Sequence, residues 1–186
     1  TDAIKDKSLI EEAVRLRDEA RAIAKVRSPY LVTIIDAGDE PEIGPYIVYE
    51  LLENSSLAKF LKKSELSEKE VIKKIAKPLL LGLDELHRQG IVHRDIKPDN
   101  ILQSDEGLFK VGDLGLAHFE GREAKTKTGI VVGTPGYLAP EAFLEDYNDA
   151  TNLADIYSAA IVVVEAIIGR SPFKGSNPTE LVKEQI

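Results

Sequence analysis

The amino-acid sequence predicts an α+β domain, and three features carry that expectation. An amphipathic helical segment opens the chain. Two short apolar runs divided by a Gly- and Pro-rich turn follow it. Two further helical segments are then separated by a long stretch without sustained periodicity. The chain has 186 residues, of which 43% are hydrophobic and 30% charged. That composition suits a packed globular domain and excludes collagen-like and disordered classes.

Each element has a local reason. Ser8 and Glu11 form a capping-box pair, and Leu9, Ala13, Leu16, Ala20 and Ile23 recur at helical steps, so residues 8–27 read as a helix. Ser28-Pro29 stops it, because proline disfavours the α conformation in the residue before it. Leu31 to Ala37 and Tyr46 to Leu52 read as two strands flanking GDEPEIGP at 38–45. Ser67 with Glu70 caps a second helix that runs to about Arg88 and stops at Gly90, with Pro78 expected to kink it. Ile101–Leu102 and Leu108–Val111 read as short strands joined at Asp105-Glu106-Gly107. Residues 113–150 show no period, and an irregular stretch of that length is usually functional. A third helix spans about Leu153 to Ile168 and ends at Gly169.

Charge and residue usage exclude several function classes. Lys and Arg total 24 against 32 Asp and Glu, a net charge of −8, which argues against nucleic acid as a partner. The basic run from Lys59 to Lys77 reads as a solvated helix face. The absence of Cys removes disulfides, thiolate metal sites and cysteine nucleophiles, and fits a reducing, cytoplasmic location. No signal-peptide h-region occurs in the first thirty residues. The apolar stretch Ile156–Ile168, broken by Ser158 and Glu165, is too short to span a bilayer and reads as a buried core helix. A membrane tether would have to lie outside these residues.

The chemistry concentrates in HRDIKPDN, His93 to Asn100, and GDLG, Gly112 to Gly115. Asp95, Asn100 and Asp113 are oxygen donors or bases, with Arg94 and Lys97 set among them as cations. Hard oxygen donors suit Mg²⁺, which keeps several waters and binds through one or two carboxylates plus substrate phosphates. A lysine beside a carboxylate base meets the needs of phosphoryl transfer, where charge gathers on equatorial oxygens.

In order and spacing, HRDIKPDN, DLG, GTPGYLAPE (Gly133 to Glu141) and DIYS from Asp155 resemble the catalytic core of eukaryotic-type (Hanks-type) protein kinases, in a bacterial-like form. The resemblance implies a two-lobed kinase fold. Residues 1–52 would be a partial N-lobe, and 53–186 a partial C-lobe with the catalytic loop and activation segment. It implies ATP with Mg²⁺ or Mn²⁺ as cofactors and protein Ser/Thr hydroxyls as acceptors, since Lys97 and GTPGYLAPE match the Ser/Thr class. Asp95 would be the base, Lys97 would contact the transferred group, and Asn100 and Asp113 would hold the metal ions. Thr134 would support Asp95 and Lys97. Leu114 stands where the family usually has Phe and fills a similar apolar slot.

Further roles follow from the same resemblance. Glu19, ten residues before Pro29, matches the helix carboxylate that pairs with the phosphate-binding lysine. Tyr49 would be the gatekeeper, the backbone of Glu50 and Leu52 would bond adenine, and Leu102 would cover it from below. Arg94 before Asp95 marks kinases switched on by activation-loop phosphorylation, and Thr126 and Thr128 resemble the paired phosphosites of bacterial receptor-type kinases. Trans-autophosphorylation would use a kinase dimer. No two of the 13 glycines lie two positions apart, so a GxGxxG loop is absent, and no VAIK-like strand precedes residue 8. With no Met at position 1, the sequence reads as an excised stretch, about two-thirds of a family domain, with poor activity expected of it alone. A catalytically dead binding module and a small-molecule phosphotransferase are the competing readings. Retention of Asp95, Lys97, Asn100 and Asp113 favours the enzyme over the first, and the GTPGYLAPE segment disfavours the second.

Overall fold

A computed structural model of the chain describes residues 23–40, 44–114, 118–119, 134–143, 151–175 and 177–185. The predicted first helix lies outside these residues except for its end. Ile23 is buried there, and its carbonyl accepts a turn-closing bond from the Val26 N–H at 3.0 Å.

The first two strands are β1 (Ile34–Glu40) and β2 (Gly44–Tyr49), an antiparallel pair in register from Ile34↔Tyr49 to Glu40↔Gly44. Both sit about three residues from their expected places. Leu31 and Val32 were expected in β1, but they pair elsewhere. Val32 donates to the Val111 carbonyl at 2.8 Å, and Val111 donates to Tyr30 at 2.8 Å. Gly38 and Asp39, expected in the turn, instead extend β1. At the far end β2 stops at Tyr49, because the next ladder donor, the Thr33 N–H, is taken by the Glu50 side chain at 2.7 Å. A carboxylate there replaces a backbone acceptor.

Helix α1 (Leu57–Leu61) was not predicted; Leu57 is its buried anchor. Helix α2 (Glu68–Val71) starts at the expected capping pair, where the Glu70 carboxylate accepts from both the N–H and hydroxyl of Ser67. It continues through a π-helical turn, Ile72–Ala76, into α3 (Lys77–His87). Pro78 accounts for that turn. It has no N–H to give the carbonyl four residues back, and the preceding turn widens so that Lys77 donates to Ile72, five residues away. The run of lysines from Lys59 to Lys77 is solvent-exposed.

Leu79, Leu83 and Leu86 line the buried face of α3 and build the core with Ile75, Ile91, Ile96, Ile101, Phe109 and Val162. Each such side chain contributes about 2–3 kcal/mol by leaving water. Gly82 lets α3 ride directly on the 30–31 segment. A Cβ there would lie 2.9 Å from the Tyr30 carbonyl oxygen and 3.2 Å from Val111 Cγ2.

Beyond α3, β3 (Ile91–Val92) pairs antiparallel with β6 (His118–Phe119). Between them β4 (Ile101–Gln103) and β5 (Phe109–Val111) form a hairpin whose turn uses Gly107 at φ +79°. Helix α4 (Asn152–Ile168) ends at Gly169 in the left-handed conformation, as predicted. It is not buried all round: Leu153, Ile156, Val164, Ile167 and Ile168 stay exposed, while Asp155, Ser158, Ala159, Val162 and Ala166 face the core. A last helix, α5 (Pro178–Gln185), was not anticipated. Among the described residues no helix is long and apolar enough to cross a membrane.

Candidate active site

The site is assembled where the loop 93–97, the β4–β5 hairpin and the segment 134–139 meet. Its foundation is Asp155, on the buried face of α4 and only 1% exposed. One carboxylate oxygen accepts the His93 N–H at 2.8 Å and His87 Nε2 at 2.8 Å. The other accepts the Arg94 N–H at 2.9 Å. These bonds hold Arg94 at φ +71°, a region in which a non-glycine residue is strained. The strained residue directly precedes Asp95 and aims it.

His93, fully buried, ties the loop to the hairpin. Its Nδ1 accepts from the Asp95 N–H at 3.3 Å, so Nε2 carries the proton and donates to the Gly112 carbonyl at 2.9 Å. Gly112 in turn donates to the Asn100 carbonyl at 2.8 Å. Asp113, next in sequence, sits at φ +54° with an exposed side chain, while Leu114 is buried at its back. The apolar slot expected for Leu114 is therefore filled.

Asp95 is 6% exposed and accepts from three donors, which leaves Oδ1 room for one more. Lys97 Nζ lies 2.7 Å from one of its oxygens and Asn100 Nδ2 2.9 Å from the same one. The Thr134 hydroxyl donates to the other at 2.8 Å, and Lys97 also donates to that hydroxyl at 2.9 Å. Burial alone would raise the Asp95 pKa. The hydrogen bonds from Lys97 and Thr134, the Lys97 charge and the Asn100 amide outweigh it, holding the carboxyl below the ordinary 3.8.

The donor set fits a magnesium ion. Asn100 spends its amide nitrogen on the carboxylate and carbonyl of Asp95, at 2.9 and 2.8 Å, leaving the amide oxygen as an acceptor. The exposed Asp113 carboxylate supplies the second oxygen. Two protein oxygens, one amide and one carboxylate, suit a cation that keeps waters and phosphate oxygens as its other ligands. Tyr49 stands within electrostatic reach: burial first, and the Asp113 charge second, push its phenol above the ordinary value.

The protein kinase domain family model matches residues 3–186. The chain belongs to the protein kinase family. It is 35% identical over 172 residues to the serine/threonine-protein kinase PknL of Mycobacterium tuberculosis, covering 92% of this chain and 42% of PknL. It is 35% identical over 167 residues to the "Serine/threonine-protein kinases drp72" of Corynebacterium efficiens, covering 88% of this chain and 32% of that protein. The "Probable serine/threonine-protein kinase PknB" of Bifidobacterium longum is 36% identical over 182 residues, covering 92% of this chain and 26% of its own. The chain therefore spans less than half the length of these relatives.

Within this kinase fold, Asp95, Lys97, Asn100 and Thr134 converge, and Asp113 follows from the hairpin that Asn100 and His93 secure. Glu50 lies just past β2 with its N–H committed to the Thr33 carbonyl at 2.9 Å, so only its carbonyl is left for a ligand. Leu52 and Leu102 are half-buried, and Leu102 packs 3.4 Å from where a Cβ on Gly112 would stand. Glu19, Thr126 and Thr128 lie outside the described residues.

Sequence reasoning missed several members of this site. His87 carries no motif signal, and Ser158, though it ends the DIYS motif, was given no role. Ser158 donates to the Tyr137 carbonyl at 2.7 Å, and the Tyr137 hydroxyl donates to Glu165 at 2.6 Å. Burial and that bond push the Tyr137 phenol far above its ordinary value. Glu165 had registered only as an interruption of an apolar run.

Proposed function

We propose that this chain is the catalytic core of a Ser/Thr protein kinase that transfers the γ-phosphoryl group of ATP to protein hydroxyls. The observation that carries the reading is the triangle of Asp95, Lys97 and Thr134, all within 2.7–2.9 Å of one another. Residues 1–52 would contribute the nucleotide-side lobe and 53–186 the substrate-side lobe. Asn100 and Asp113 would hold Mg²⁺, which when bound neutralises phosphate charge.

The side chains then divide the work. Asp95 is ionised at neutral pH and accepts the hydrogen bond of the acceptor hydroxyl, aiming its oxygen at the γ-phosphorus. As that oxygen–phosphorus bond forms, the bond from the γ-phosphorus to the bridging oxygen breaks and ADP leaves. The hydroxyl proton passes to Asp95. A base with so low a proton affinity takes the proton late, and its main contribution is orientation. Lys97, fixed between Asp95 and Thr134, faces the charge that develops on the transferred group. Thr134 sets both charges and starts the segment that would receive the acceptor peptide.

Phosphorylation at Thr126 or Thr128 would add nearly two negative charges and would order the activation segment by pairing with Arg94. A second kinase molecule would supply that phosphate in trans. The test of catalysis is transfer of labelled γ-phosphate to a Ser/Thr protein by the natural-length protein. Asp95→Asn is expected to lower the rate at least about a hundredfold while the fold persists. Transfer to a sugar or aminoglycoside instead, or equal rates in parent and variant, would overturn the reading. Phosphopeptide mapping of the active protein that found both Thr126 and Thr128 unmodified would remove the regulatory part.

A further inference from the structure

Glu50 joins three separate segments through one residue. Its N–H donates to the Thr33 carbonyl at 2.9 Å, and its carboxylate accepts the Thr33 N–H at 2.7 Å. The same carboxylate accepts from Lys110 Nζ at 2.8 and 3.1 Å through its two oxygens. The pair is largely shielded, with side-chain exposures of 15% for Lys110 and 26% for Glu50. Burial raises the Glu50 pKa, but Lys110 and the Thr33 amide outweigh it, so the carboxyl stays below its ordinary range and charged.

The partners matter because of where they sit. Lys110 is the middle residue of β5, opposite Leu102 on β4 and three residues before Asp113. Thr33 belongs to the segment whose Tyr30 and Val32 bond Val111, the next residue of β5. The ring is therefore closed: hinge segment to Thr33, Thr33 segment to β5, β5 back to the hinge through Lys110. An ion pair with both oxygens engaged and little water resists shear better than a surface pair.

We propose that the Glu50–Lys110 ion pair is a positioning strut that keeps the segment 50–52 in register with the hairpin carrying Leu102 and Asp113, and so sets nucleotide affinity. The proposal rests on reading 50–52 as the adenine-binding segment. Adenine and the phosphates are parts of one ligand of limited reach, so the hinge and Asp113 must stand within its span to bind both ends. Loosening the strut lowers the fraction of molecules that hold this separation, and apparent affinity falls by the same fraction. Once nucleotide is bound, the separation is imposed by the ligand, and turnover changes less.

The natural-length protein is compared with Lys110→Met, which keeps the aliphatic stem, with near-isosteric Glu50→Gln, with the double variant and with Lys110→Arg. Two readouts are taken: amide hydrogen exchange at Thr33 and Glu50 without nucleotide, and KM for ATP against kcat for phosphoryl transfer. Both single variants are expected to speed exchange at the two amides about fivefold and raise KM for ATP about threefold to tenfold, with kcat moving less than about twofold. The double variant is expected to be no worse than the worse single one, and Lys110→Arg to recover most of the KM.

Unchanged exchange at both amides would overturn the strut itself. Faster exchange with unchanged KM, or a fall confined to kcat, would overturn its positioning role. If the unmodified protein transfers no phosphate, the kinase reading fails and the positioning role fails with it. The exchange arm then still reports whether the pair holds the hinge, which separates the two failures.

Discussion

Replacing Asp155 by Asn changes almost no volume but removes one acceptor from a fully buried hub. The carboxylate serves three donors: His87 Nε2 and the His93 N–H on one oxygen, and the Arg94 N–H on the other. A carboxamide has only one oxygen. In its better orientation that oxygen keeps His87 and His93, and the new NH₂ group confronts the Arg94 N–H. A buried donor left without an acceptor costs about 1–3 kcal/mol. The two surviving bonds lose their charge assistance, at about 1 kcal/mol each. The sum is about 3–5 kcal/mol, a large part of the 5–15 kcal/mol or so that holds a typical domain folded. With a urea slope of about 2 kcal/mol per M, the unfolding midpoint falls by about 2 M at unchanged slope. The variant should also lose phosphoryl transfer where it is still folded, because Arg94 is then free to leave φ +71° and Asp95 turns with it. A midpoint shift under about 0.5 M, with full activity, would show that the hub neither holds the loop nor aims Asp95.

Two other consequences can be checked in the same way. Gly82→Ala should gain about 1 kcal/mol of helix propensity yet lose about 1–3 kcal/mol net in thermal unfolding, because its Cβ would stand 2.9 Å from the Tyr30 carbonyl; a rise in Tm would show the contact is looser. Lys97→Met should make the stability difference from the parent depend on pH. The folded-state pKa of Asp95 is depressed, so its contribution is present above the ordinary value of 3.8 and lost as the pH falls through the folded value. The parent's advantage should therefore be largest at neutral pH and shrink below about pH 4, as acid titrations of both proteins would show; a pH-independent gap would contradict it.

Much of the site was legible because its residues are contiguous. His93 to Asn100 and Gly112 to Leu114 each occupy one loop, and loop chemistry depends on spacing that a sequence displays. The capping pair Ser67–Glu70 and the stop at Gly169 were legible for the same reason, since both act within a few residues. Element boundaries failed where a distant partner competed. Leu31 and Val32 have the composition of β1, yet the Leu31 N–H turns back to Ser28, and Val111 bonds the residues on either side of it, Tyr30 and Val32. Helix α1 is too short for a periodic signal, and tertiary packing sustains it: Leu57 is buried and the Phe60 ring meets Phe109 edge-on at 5.3 Å.

By itself the sequence determined the chemistry on offer: three oxygen-bearing side chains, two cations and a threonine segment, in an order that marks the protein kinase family. It determined the helices whose apolar faces repeat within one segment. Tertiary structure decided what those groups became. Asp155 turns from an acid near a helix start into a buried acceptor for three donors, because α4 crosses beneath the 93–94 loop. Glu50 turns from a strand-end residue into a strut, because β5 brings Lys110 to it from 60 residues away. Contacts across such separations leave no local trace, since each partner is an ordinary residue until the fold brings the other within hydrogen-bond reach.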